Sequence, residues 1–247
     1  MKNLGKLAVL GAALAVSSSF AFADSVTIGS YATGASSMGN VNSALSFTGY
    51  VPFSTVGGVP PSDPQPFAAP TTGSSASTYT LTPGTAWPTP VANSTWVGST
   101  STSGPVGTVN PAWGYYTYST TFNLSSMYGG VLQIFADDTT EVFLNGTSAA
   151  DLLVPFGDLG GDNHCADNAP DCPPAGSPYS LFVNFASGTN TLYFVVEQAG
   201  KQDPGLDESG VDFGATLYQT PEPSSLLLLG TGLVGAAGAM FRRRLAA

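Results

Sequence analysis

Residues 191–197 (TLYFVVE) are apolar on both faces, with Leu192, Phe194 and Val196 on one side and Tyr193 and Val195 on the other. Successive side chains of a strand point to opposite faces, so such a strand has to be covered twice. It belongs at the centre of a packed sheet, and its neighbours must supply both covers. Several segments can. Residues 115–124 (YYTYSTTFNL) are rich in aromatic and β-branched side chains, and 131–136 (VLQIFA) follow Gly129-Gly130. Asp137-Asp138 interrupts the pattern, residues 141–144 resume it, and Asn145-Gly146 ends it with a strong turn dipeptide. Residues 179–185 (YSLFVNF) precede Ser187-Gly188, and 211–218 close the series. Six or more short strands separated by turn signals predict an all-β fold, a single antiparallel β-sandwich. No segment before residue 221 has a helical period.

Residues 24–90 give weaker signals. Runs at 25–28 (SVTI) and 44–47 (ALSF) predict brief strands. Residues 52–90 are dense in Pro, Ser, Thr and Gly and include Pro60-Pro61-Ser62-Asp63-Pro64, which predicts an irregular extension ahead of a sandwich at 91–220.

The two ends do not belong to the fold. Lys2 and Lys6 precede an apolar run at 7–16, and Ala21-Phe22-Ala23 before Asp24 is a signal peptidase site, so residues 1–23 read as a secretory signal. Residues 221–247 hold Pro221-Glu222-Pro223, an apolar run at 226–241, and Arg242-Arg243-Arg244. The run predicts a C-terminal transmembrane helix of about 24 Å, short of a ~30 Å hydrocarbon core. Ser224, Ser225 and local bilayer thinning close most of that gap. The arginines stay cytoplasmic, which leaves the body outside the inner membrane. Prolines keep the segment ahead of the helix extended and exposed. Between the two ends one lysine faces fifteen acids, a net charge of −14 that repels nucleic acid and anionic membranes.

Pro-Glu-Pro, a short apolar helix and a terminal arginine cluster, in that order, resemble the PEP-CTERM sorting signal of Gram-negative bacteria. The resemblance implies recognition of Pro221, Glu222, Pro223 and Arg242–Arg244 by an exosortase, in a host that makes exopolysaccharide. A plain membrane anchor is the competing reading, and the two differ in whether the mature protein keeps its tail. The body also resembles a known module. ADDTTEVFLNG (136–146), then NFASGTNTLYFVV (184–196), with an early tryptophan strand at 94–98, look like the galactose-binding-like jelly roll. Binding loops vary freely in that fold, so the likeness implies architecture rather than a ligand.

Candidate chemistry is sparse. Asp158, Asp162, Asp167 and Asp171 lie close to His164, Cys165 and Cys172. Their carboxylates offer hard oxygen ligands for calcium, while the simpler reading is a solvated loop closed by a disulfide. Cys165 and Cys172 are the only cysteines of an exported chain and are expected to pair, closing a short loop worth roughly 2.5 kcal/mol. Asp137 and Asp138 could hold calcium and sugar together, as adjacent acids do in PA14-like lectins, or simply form a turn. His164 is the only histidine, so a serine-based triad has one possible base, in a polar loop beside a cysteine. Nothing marks out a carboxylate pair for glycoside hydrolysis. Among Trp87, Trp96, Trp113, Tyr115 and Tyr116, Trp96 reads as core, whereas Trp113, between Pro111 and Gly114, and Tyr115 are the candidates for sugar stacking. Asn93, Asn123 and Asn145 sit in glycosylation-type sequons that read as chance in so Ser- and Thr-rich a chain. Together these features predict an exported, non-catalytic envelope or matrix protein associated with exopolysaccharide. A dedicated carbohydrate-binding module and a secreted hydrolase are the rivals.

Overall fold

A computed structural model describes residues 24–32, 37–53, 68–73, 75–155, 177–198, 208–220 and 223–245. Cys165, Cys172, His164, the four loop aspartates Asp158, Asp162, Asp167 and Asp171, Ala21, Ala23, Pro221 and Glu222 lie outside the described residues. The chain divides into two units. One is Val26–Leu217, and the other joins the chain start to Tyr218–Ala247.

The first unit is all-β. Its strands are β1 (Ser25–Gly29), β2 (Val41–Pro52), β3 (Ala76–Thr80), β4 (Val97–Gly98), β5 (Gly114–Leu124) and β6 (Tyr128–Asp137). They continue with β7 (Thr139–Leu144), β8 (Leu152–Val154), β9 (Tyr179–Phe185), β10 (Gly188–Gln198) and β11 (Gly210–Gln219). Along the sheet they run β8-β7-β10-β5-β2-β3-β4-β11-β6-β9, with β1 also paired to β11. The sheet folds back on itself. Phe194 of β10 meets Phe213 of β11 at 4.7 Å between ring centroids, and Phe122 of β5 meets Phe185 of β9 at 5.4 Å. Strands far apart in the order thus share one core, as the two faces of a jelly-roll sandwich do. Tyr118, Leu132, Ile134, Val142, Leu192 and Leu217 fill it.

β10 sits where its double-faced pattern predicts, between β5 and β7. Leu192, Phe194 and Val196 are buried in the core, and Val195 and Glu197 are buried on the outer side. Asn145 ends β7 with φ of 61°, the left-handed region that a turn asparagine tolerates. Its Oδ1 accepts the Thr191 amide at 2.8 Å and its Nδ2 donates to Asn190 Oδ1 at 3.1 Å, so the turn fastens β7 to β10.

The N-terminal stretch is more ordered than its composition suggests. β1, β2 and β3 are strands of the same sheet, so the sandwich starts near residue 25 rather than 91. β2 alone spans twelve residues. Register shifts between Asn42 and Ser46 and between Phe47 and Gly49 break its period-two pattern, so the sequence shows only the fragment around Phe47. Thr78, buried, donates to both the Asn42 and Leu45 carbonyls and secures the first irregularity.

A second, smaller core lies outside the main one. Trp87 stacks on Trp96 at 4.2 Å and Trp96 on Phe135 at 5.9 Å, with Leu81 and Val91 around them. Trp96 Nε1 donates to Pro88 O at 3.0 Å, so the ring is buried with its polar atom satisfied. This cluster ties the long connection between β3 and β5 to the sheet.

The second unit contains helix α1, Pro223–Leu245, with Arg242, Arg243 and Arg244 in its last turn, where they complement the helix dipole. Proline at the first helical position costs nothing, because that amide has no intrahelical partner. Leu233, Val234, Met240 and Phe241 are all exposed on it. Among the described residues no helix is long and apolar enough to cross a membrane.

Candidate functional site

Four acids of the described structure, Asp137, Asp138, Glu141 and Glu197, lie at or beside the β6–β7 turn. Asp137 ends β6, its side chain buried, and its Oδ2 accepts a hydrogen bond from Trp87 Nε1. The peptide between Asp137 and Asp138 is cis. Asp138 is half-buried, and its amide donates to Glu197 O at 3.0 Å. Asp137 thus anchors the Trp87 cluster, and Asp138 starts the pairing of the next strand with β10.

Glu197 stands opposite Tyr115 on one side and Thr139 on the other, and Glu141 stands opposite Val195. Opposed residues share a face, so Tyr115, Glu141 and Glu197 all lie on the outer side of β5, β10 and β7. Residues 68–71 cover this face. Ala68 N donates to Glu141 Oε2 at 2.9 Å, and Thr71 N donates to Thr117 Oγ1 at 3.1 Å. Burial, then the nearby carboxylates of Glu197 and Glu141, raise the Tyr115 phenol well above the usual tyrosine range. Tyr115 is therefore a neutral phenol beside two buried acids, half-buried and met edge-on by Phe53 at 4.8 Å. Trp113 is also half-buried, and its carbonyl accepts from Tyr50 Oη at 2.7 Å and from Phe53 N at 3.3 Å. The two stacking candidates sit side by side on the chain, while Trp96 is in the small core. Among the described residues, no group of three or more His, Cys, Asp or Glu side chains is placed to hold a metal ion.

Asp212 is the carboxylate that sequence inspection overlooks. It lies on β11, fully buried, and faces the connection that carries Val91 to Thr95. Val91 N donates to Oδ2 at 2.8 Å, and Ser30 Oγ lies 2.9 Å from Oδ1 and 2.6 Å from Thr95 O. Asn42 Nδ2 donates to Ser30 O at 2.7 Å, which extends the network into β2. Desolvation pushes the Asp212 carboxyl up to about 6, against hydrogen bonds from Ser94, Val91 and Ser30 that favour the anion.

The pH consequence has a definite sign. The folded state binds this proton more tightly than the unfolded chain, so the stabilisation is complete below the ordinary aspartate pKa and is lost as pH rises through about 6. A shift of this size corresponds to about 3 kcal/mol. Asp212→Asn can accept from Val91 N and donate to Ser30 Oγ, so it keeps the network without the titration. The stability difference between wild type and Asp212→Asn, followed by urea unfolding, should change by about 2 kcal/mol between pH 4 and pH 7. A pH-independent difference would overturn the assignment.

Residues 219–244 match the family described as the PEP-CTERM protein-sorting motif. The motif implies export and exosortase processing. No curated protein matches the chain. Among solved structures, the chain is similar to a CBM35 from Paenibacillus barcinonensis, at 15% identity and a TM-score of 0.29, over 58% of this chain and 89% of that one. It is also similar to a family 35 carbohydrate binding module from Clostridium thermocellum, at 12% identity and a TM-score of 0.26, over 46% of this chain and 85% of that one. Both likenesses are distant.

Proposed function

We propose that this is an exosortase-processed protein of the outer surface or extracellular matrix of a Gram-negative bacterium, whose β-sandwich is non-catalytic and associates with exopolysaccharide. The observation that carries this reading is the sorting motif over residues 219–244. On this reading α1 sits in the inner membrane until an exosortase removes it. Its apolar run at 226–241 covers about 24 Å, short of a ~30 Å hydrocarbon core, so on this reading the bilayer thins around it where the exposed Leu233, Val234 and Phe241 face lipid.

The placement of the buried acids supports the non-catalytic part. Glu141 holds Ala68, Asp137 holds Trp87, and Asp212 holds Val91 and Ser30. Each secures a connection against the sheet. The reading requires no cofactor. Calcium enters only through the acidic loop with Asp158 and Asp162 or the turn at Asp137 and Asp138, and a rise in melting temperature on adding calcium would reveal it.

Intact-mass measurement of the native protein, recovered from the envelope and medium of its own host, tests the reading. A C-terminus at or near Pro221-Glu222-Pro223 is expected. A tail still ending in Arg242-Arg243-Arg244 and beyond would make the helix an ordinary anchor and overturn the processing step.

A further inference from the structure

We propose that the outward face of β9 and β6, centred on Phe182, is a stacking platform for a neutral polysaccharide chain. The inference rests on the exopolysaccharide reading above and gives it a surface. Phe182 is 65% exposed, the most exposed aromatic side chain among the described residues of Val26–Leu217. It does not stand upright off the sheet. A β-carbon on Gly129 would lie 2.8 Å from Phe182 Cζ and 2.9 Å from Asn184 Oδ1, so the ring and the amide both fill the space left by that missing side chain. The ring leans toward β6 and stays mostly exposed.

The register defines its surroundings. Phe182 stands opposite Val131, Ser180 opposite Gln133, and Asn184 opposite Gly129. Opposed pairs alternate faces along an antiparallel ladder, so these six residues share one side of the sheet. Val131 is 48% exposed, and Ser180 and Asn184 are exposed on either side of Phe182. The face therefore has an apolar centre, with a hydroxyl one step along the strand and an amide one step the other way. Among the described residues β9 is the last strand in the order and pairs only with β6.

This arrangement suits a pyranose. The C–H face of the sugar packs on the ring, and its equatorial hydroxyls point sideways toward donors and acceptors such as Ser180, Asn184 and Gln133. None of the six residues is charged, although the exported segment carries fifteen acids and one lysine. A neutral chain meets no repulsion there, whereas an anionic polysaccharide faces the body's field within the ~8 Å screening length. The same charge opposes a second copy of the chain on this face, since two such bodies repel each other.

The test uses the exported chain purified from its own host, as wild type, Phe182→Ala, Phe182→Trp and Gly129→Ala. Each is titrated in affinity electrophoresis against the host's own released exopolysaccharide, dextran and alginate. Wild type should be retarded by the host polysaccharide or dextran and not by alginate. Phe182→Ala should weaken that retardation at least tenfold and Phe182→Trp by less than threefold. Gly129→Ala should weaken it several-fold by tipping the ring, with an unchanged melting temperature. Binding that survives Phe182→Ala would overturn the platform and leave the exopolysaccharide reading standing. No retardation by any of the three would overturn both. A dimer that Phe182→Ala converts to monomer, seen by light scattering, would make the face a self-association surface and overturn the proposal.

Discussion

Replacing Pro221-Glu222-Pro223 with three alanines is expected to leave α1 on the mature protein, with cleavage reduced at least tenfold. The helix starts at Pro223. A proline disfavours helical geometry in the residue before it, so the sequence favours an extended chain at residue 222. Alanine is the best helix former and removes that restriction. The helix could then extend toward residue 220, and the segment that a processing enzyme has to grip as extended chain would be withdrawn into hydrogen-bonded turns. The measurement is intact mass of the variant from envelope and medium. Efficient release of a shortened body would mean that the tripeptide is not what the protease reads. A variant that restores only Pro223 separates the two effects: it returns the restriction on residue 222 without returning the motif, so recovery of cleavage would assign the role to chain geometry.

The second large effect is expected at Trp96. Truncation to alanine removes a fully buried indole from between Trp87 and Phe135, at 4.2 and 5.9 Å, together with its hydrogen bond to Pro88 O. Deletions of large buried aromatics cost about 3–5 kcal/mol. In a unit of this size that is roughly 10 °C in melting temperature. Trp87 would lose its stacking partner while its Nε1 still needs Asp137, so the damage should reach the β6–β7 turn. Equilibrium unfolding in urea gives the number. A loss under 1 kcal/mol would show that the small core is decoration on a sandwich that stands without it.

The two cores differ in how visible they are in the sequence, and the difference is physical. β10 could be read directly because an unbroken apolar run has few alternatives, and Asn145-Gly146 because few dipeptides tolerate the backbone needed there. β2 could not. Its polar residues and two register shifts spread the inward-facing positions irregularly along the chain, so Leu45 and Asn42 are buried without a period to announce them. β4 is two residues long, below any patterning signal. Site residues divide along the same line. Trp96 is buried in the small core, just ahead of β4 rather than on it, while Trp113 and Tyr115 are half-buried two residues apart. Phe182 sits in YSLFVNF, where Tyr179, Leu181, Val183 and Phe185 alternate with Ser180 and Asn184, so the alternation puts Phe182 on the polar, outward-facing parity. Asp212 looks like any other surface acid until the fold brings Ser30 and Val91 against it from 182 and 121 positions away.

The pairing of β1 with β11 bears on the order of events during secretion. A chain threaded outward from its N-terminus delivers β1 first and β11 last, just ahead of the sorting signal. Until β11 arrives, β1 lacks its partner, and β4 and β6 each lack a neighbour. The sandwich therefore cannot close while any part of the body remains inside, and closure coincides with the arrival of the tail at the membrane. On the proposed reading, the sorting motif at 219–244 comes out only when the whole body is outside and free to close.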